Sequence, residues 1–245
     1  MPNRSNPPIL NFMWKPFQPI YNLWRRYFGT YSLDDPRRTH KEAPYTFYLP
    51  SKARQDSVGP GDLVQLVFCS KPMSLKHGAE RMWVKVTDVT PKYVIGALRN
   101  TPLDMPQLKV GSEIRFQPFH IIDFDTERDL PDEPKQKQYW GRCMVDRCIL
   151  DEDVPVYYLY REEPNLDEPG DKYPDSGWRI RGDYRNVSDE EFEARKAAYI
   201  ALGKVLNADD SWLHLIDSPI GSAFMRNFET GEYEIYEREP QNDDD

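Results

Sequence analysis

Twenty-two prolines against thirteen glycines suggest many rigid connections rather than flexible linkers, and their placement divides the chain. Pro7, Pro8, Pro16 and Pro19 forbid a long helix in the first ~45 residues. Phe12, Trp14, Phe17, Tyr21, Trp24, Tyr27, Phe28 and Tyr31 give the same stretch a large apolar area. One or two helical turns fit between Pro19 and Phe28, with Ile20, Leu23, Trp24 and Tyr27 on one stripe and Arg25 and Arg26 beyond it. Residues 1–44 therefore read as an aromatic arm packed across the body of the protein. Contact with a membrane interface or with a partner is the alternative use of such an arm.

Residues 45–125 read as a β-rich domain. Gly59-Pro60-Gly61-Asp62 is a turn, Leu63–Phe68 is a strand, and MWVKVTDV and YVIGAL form a hairpin through Thr90-Pro91-Lys92. EIRFQPF and His120–Asp123 complete a small bent sheet or partial barrel. Residues 126–138, TERDLPDEPKQKQ, read as a linker. A second domain at 139–238 opens with a strand at Gly141–Val145, then Val154–Glu162, then one centred on Gly177–Ile180. Ser188 and Glu191 form a capping box at the start of a helix carrying Phe192, Tyr199, Leu202 and Leu206 at helical spacing. SAFMRNF and EYEIYER close as a hairpin, and an acidic tail occupies 239–245. The expected fold class is α+β: a β-rich bent sheet or partial barrel, then an antiparallel sheet with one main helix.

Charge separates the two halves. Residues 1–50 carry seven Lys and Arg against three Asp and Glu, whereas residues 140–245 carry twelve against twenty-six, within a chain of net charge −9. An acidic half lacks the clustered cations that phosphate contacts need, so nucleic acid is not the expected ligand. It suits a partner with a basic surface. Cys69, Cys143 and Cys148 include no C-x-x-C pair and read as small buried thiols of a reducing compartment. Lys15, Pro16, Pro19, Arg25 and Arg26 interrupt residues 9–28, so neither a spanning helix nor a secretory signal is expected there, and the expected location is cytoplasmic.

No catalytic, cofactor or metal motif stands out. His214, Asp217 and Ser218 lie within five residues of a turn, too close together to act as base, orienting acid and nucleophile held by separate parts of a scaffold. No phosphate-binding glycine loop occurs. His77 and His120 have no ligand spacing around them, and the adjacent acids at 151–153 and 162–163 read as solvated loops.

Three motifs in the second half occur in a fixed order: YLYREEP at Tyr158–Pro164, DSGWR at Asp175–Arg179 and LIDSPIGSAF at Leu215–Phe224. Together with CMVDRCIL at Cys143–Leu150, they resemble the thirty-third family of immunity proteins from bacterial polymorphic toxin systems, first catalogued as a domain of unknown function. The resemblance covers residues 140–238. It implies a non-enzymatic antidote that binds a cognate protein toxin, and the acidic charge of this half suits a toxin with a basic surface. Arg161, Glu162, Glu163, Asp175, Trp178, Arg179, Asp217 and Ser218 are the partner-binding candidates, with Glu162, Glu163 and Asp175 expected to be exposed. Tyr157, where the family pattern has Gly, and RIRGDY at Arg179–Tyr184 depart from the pattern and imply a different partner preference. GDLVQLVF, ERMWVKVT, LRNTP and HIID in residues 45–125 resemble a second, uncharacterised bacterial domain. The alternative readings are a regulatory or scaffolding module whose N-terminal arm meets a membrane or peptide, and a small hydrolase using Asp217 and Ser218.

Overall fold

The computed structural model describes residues 18–73, 76–167 and 169–237. The first half of the aromatic arm and the acidic tail lie outside them. The described residues form two compact units, one made of residues 18–42 and 47–136, the other of residues 43–46 and 137–237. Among the described residues no helix is long and apolar enough to cross a membrane.

The first unit is a nearly closed antiparallel sheet ordered β1 (Thr30–Leu33), β2 (Leu63–Lys71), β3 (Glu80–Val89), β4 (Val94–Leu98) and β5 (Glu113–Phe116). Strand β6 (Asp123–Asp125) returns to pair with Leu63–Gln65 of β2. Alternation in β2 turns Val64, Leu66 and Phe68 inward, and β3 answers with Met82, Val84 and Val86. Close strand packing explains Gly96, because a Cβ there would sit 2.5 Å from Val84 Cγ1. Residues 126–133 are not a free linker. Arg128 donates to Asp62 at 2.6 Å and to the Ser57 carbonyl at 2.9 Å, and Arg54 pairs with Glu133 at 2.8 Å. The charged stretch is strapped to the first unit.

The arm differs from the expectation in a telling way. Helix α1 (Gln18–Phe28) forms, but its apolar stripe faces outward and Arg25 is fully buried. Burial of a guanidinium is tolerated because it finds acceptors in Asp104 and Ser70. Two short helices follow, α2 (Pro36–Glu42) and α3 (Lys52–Asp56).

The second unit is a six-stranded sheet ordered β10 (Ala197–Ala201), β7 (Arg142–Asp146), β9 (Asp175–Gly182), β8 (Val156–Arg161), β11 (Ala223–Arg226) and β12 (Tyr233–Ile235). One pair, β7 with β9, runs parallel, so the sheet is mixed rather than wholly antiparallel. Helix α4 (Arg147–Asp151) follows β7 directly. Cys143, Val145, Leu159, Trp178, Ile180 and Phe224 pack on one face with Leu202, Val205 and Leu206 of a helix, while Trp212 and Ile216 close the core. Cys143 alone of the three free cysteines is fully buried, and burial pushes its thiol well above the ordinary range.

The expected helix from Ser188 is interrupted. The Ser188–Glu191 capping box is present, but α5 covers only Asp189–Glu193. Residues Ala197–Ala201 pair antiparallel with β7, and helix resumes as α6 (Leu202–Ala208). Tyr199 and Ile200 suit a pleated surface, and the unpaired edge of β7 supplies backbone partners that a helix would forgo. The apparent helical stripe joined Phe192 in α5 to Tyr199 in a strand.

Candidate functional site

The three motifs of the second half meet at one end of its sheet. β9 takes four steps, from Asp175 to Arg179, where β7 takes two, from Arg142 to Met144. This bulge places Asp175 and Arg179 in one ion pair, with Nη2 at 2.8 Å and Nη1 at 3.0 Å from the two carboxylate oxygens. Gly177 makes the bulge possible: its φ is +78°, and a Cβ would lie 2.1 Å from the Glu162 carbonyl oxygen. Arg179 also donates through Nε to Glu162 at 2.6 Å and through Nη2 to Asn165 Oδ1 at 2.9 Å.

Electrostatics follow from that geometry. Burial alone would raise the Asp175 carboxyl, but hydrogen bonds from Arg179 and from the Gly177 and Asn165 N–H groups more than reverse it, so Asp175 lies below the usual carboxylate range. Arg179 is held above its ordinary value, first by the hydrogen bond to Asp175 and despite desolvation. The pair is a bidentate, charge-assisted clamp.

The clamp is tied to the LIDSPIGSAF turn through its neighbours. Trp178 Nε1 donates to the Ile216 carbonyl at 3.2 Å, and its ring lies 5.6 Å from that of Trp212. Arg161 donates to the Ser218 carbonyl at 2.7 Å and to the Ser176 carbonyl at 3.0 Å. The Arg161 backbone N–H donates to the Ser222 carbonyl at 2.9 Å and its carbonyl accepts from Gly221 at 2.8 Å. Two loops, 162–174 and 216–222, are thus pinned by one cluster.

Six of the eight candidates, Arg161, Glu162, Asp175, Trp178, Arg179 and Ser218, belong to this cluster. Three of them leave the list of surface contacts. Asp175 was expected to be exposed but is 4% accessible, Arg179 is 6% and Trp178 is 0%. The physical reason is the bulge, which turns the carboxylate inward onto the guanidinium. Glu162 is half-buried, and Glu163 and Asp217 are exposed. Asp167 in the same loop is exposed and was not singled out by its pattern. Asp217 meets Lys137 at 2.6 Å, a partner 80 residues away that no local pattern announces.

The hydrolase candidates are turned to separate partners. Asp217 faces Lys137, the His214 ring lies 6.2 Å from that of Tyr233, and the Ser218 N–H closes a turn onto the Leu215 carbonyl at 2.9 Å. Among the described residues no group of three or more His, Cys, Asp or Glu is placed to hold a metal ion.

The sheet face opposite the core carries Met144, Tyr158, Tyr160, Arg181 and Met225, as the strand registers require. At its edge the two departures from the family pattern touch each other. Tyr157 lies 5.0 Å from the ring of Tyr184, and Arg185 sits 4.0 Å over Phe228 and 5.4 Å over Tyr157.

Residues 143–237, fewer than half of the chain, match the family model described as the immunity protein Imm33 domain. The resemblance carried by the three motifs is thereby met in the C-terminal half, and a matched immunity domain points to toxin immunity as the class of function. No curated protein and no solved structure matches the chain.

Proposed function

We propose that the chain is an immunity protein that binds a cognate toxin in the cytoplasm and neutralises it by occupying it, without chemistry of its own. The observation that carries this reading is where the matched domain puts its motifs. All three converge on one ion-paired cluster, which pins two acid-bearing loops; Glu163 stays exposed, while the exposed Asp167 accepts the Asp175 N–H and the exposed Asp217 pairs with Lys137. Loops ordered before binding cost less to immobilise at an interface. Glu163, Asp167 and Asp217 form the exposed acidic rim. A rim of that sign selects a toxin face rich in Lys and Arg and accelerates encounter.

The double variant Glu163→Lys with Asp217→Lys tests the rim. Both side chains are exposed, and Asp217 gives up only a solvent-screened pair with Lys137, so the circular dichroism spectrum and thermal midpoint should stay close to wild type. Affinity for the toxin isolated on the wild-type chain is expected to fall about tenfold or more, chiefly through a slower association rate that no longer depends on salt. Unchanged affinity would place the interface elsewhere on the second unit.

A further inference from the structure

We propose that the outward face of α1 docks onto an anionic lipid surface. The helix is inverted relative to an ordinary surface helix. Its buried side is held by Arg25, whose Nη1 donates to Asp104 Oδ1 at 2.9 Å and Asn22 Oδ1 at 3.1 Å. Nη2 donates to Ser70 Oγ at 2.8 Å and to the Asp104 carbonyl. Tyr21 adds a hydrogen bond to the Met73 carbonyl at 2.9 Å. The Gly29 N–H closes the last turn on the Arg25 carbonyl, and a Cβ at Gly29 would lie 2.3 Å from that oxygen. The helix is therefore fixed to its unit in one orientation.

That orientation directs Ile20, Leu23, Trp24, Tyr27 and Phe28 to solvent, Tyr27 and Phe28 at more than 70% exposure. Met73 and Leu103, in the two segments gripped by Tyr21 and Arg25, are exposed as well. Concentrated apolar surface of this kind marks an interaction site rather than ordinary surface composition.

Charge complementarity identifies the occupant. The exposed charged side chain on α1 is Arg26, and the end of β2 that α1 grips adds exposed Lys71. The acids of the anchor are turned away and consumed: Asp104 accepts from Arg25, and Glu80 accepts from the Leu103 and Asp104 N–H groups at 2.7 and 2.8 Å. Trp, Tyr and Phe flanked by cations suit the boundary between headgroups and acyl chains, where rings enter and cations meet phosphate. Insertion of this face would be peripheral, with the body of the unit remaining in water. The proposal does not depend on the immunity reading, because α1 lies in the other unit.

The test is co-sedimentation of the full-length chain with vesicles of phosphatidylcholine alone and of phosphatidylcholine containing about 30% phosphatidylglycerol. Binding is expected on the anionic vesicles and weak on the neutral ones, and it should decline as salt rises. The variant Trp24→Ser, Tyr27→Ser, Phe28→Ser removes only exposed rings, so its thermal midpoint should match wild type while vesicle binding drops about tenfold or more. Arg26→Glu should weaken binding to the anionic vesicles alone. Absence of binding, equal binding to both vesicle types, or binding that survives the triple variant would overturn the proposal. So would a dimer in sedimentation velocity that the triple variant dissociates while vesicles are ignored, which would assign the face to a second copy of the chain.

Discussion

Arg179→Met should lower the unfolding free energy of the second unit by about 3–5 kcal/mol, read as a shift of the urea midpoint. Asp175 has no exposed side-chain surface, and Arg179 supplies both of its charged hydrogen bonds. Removing the cation strands a buried carboxylate with only backbone N–H groups from Asn165, Leu166 and Gly177. Met fills much of the same volume, so the loss reports the ion pair and not a cavity. Adding Asp175→Leu should recover much of the stability, because an apolar pair avoids the desolvation that the ion pair must offset. The sign with pH follows from the depressed Asp175 carboxyl. A group depressed in the folded state stabilises above its unfolded value of about 4, and that contribution disappears as pH falls through the folded value. The gap between wild type and Arg179→Met should therefore be full near neutrality and narrow on acidification below about pH 4. A loss under about 1 kcal/mol at neutral pH would show that water reaches the carboxylate and that the clamp is not closed.

Gly177→Ala is expected to cost about 3 kcal/mol or more, from two separate effects. The left-handed backbone at φ +78° disfavours any Cβ, and the Cβ would collide with the Glu162 carbonyl oxygen, a backbone atom unable to rotate away. The strand must either lose its bulge, which separates Asp175 from Arg179, or push β8 aside. Hydrogen exchange reads either outcome: both predict loss of protection at the Glu162 N–H, which donates to the Gly177 carbonyl at 3.0 Å. Glycines with open space around them, such as Gly221, serve as the control, since Ala there meets no atom and carries only the backbone strain of φ +93°.

The β-rich first unit was largely readable because its strands alternate cleanly and its turns carry glycine. Val64, Leu66 and Phe68 face inward as their period of two requires, and Gly61 sits at φ +95° in the turn before them. The capping box at Ser188 was readable for the same reason: it is local chemistry. What failed was decided at long range. Ala197–Ala201 became a strand because the edge of β7, more than fifty residues earlier, offered a ladder. Arg25 went inward because Asp104, 79 residues away, offered acceptors, a pairing that a helical stripe does not encode. In the site, the motifs announced that Asp175, Trp178 and Arg179 act together. The bulge at Gly177 turns Asp175 and Arg179 onto one another and Trp178 onto Ile216 and Trp212, leaving Glu163 to face solvent.

The most direct measurement of the immunity reading is capture on the full-length chain from native cell lysate, followed by a growth assay of the retained protein. We expect a stoichiometric partner at near-physiological salt that is released at about 1 M salt. Expressed alone, that partner should arrest growth, and co-expression of this chain should restore it. A retained partner that is harmless by itself, or no partner in any lysate that carries the toxin locus, would contradict the account.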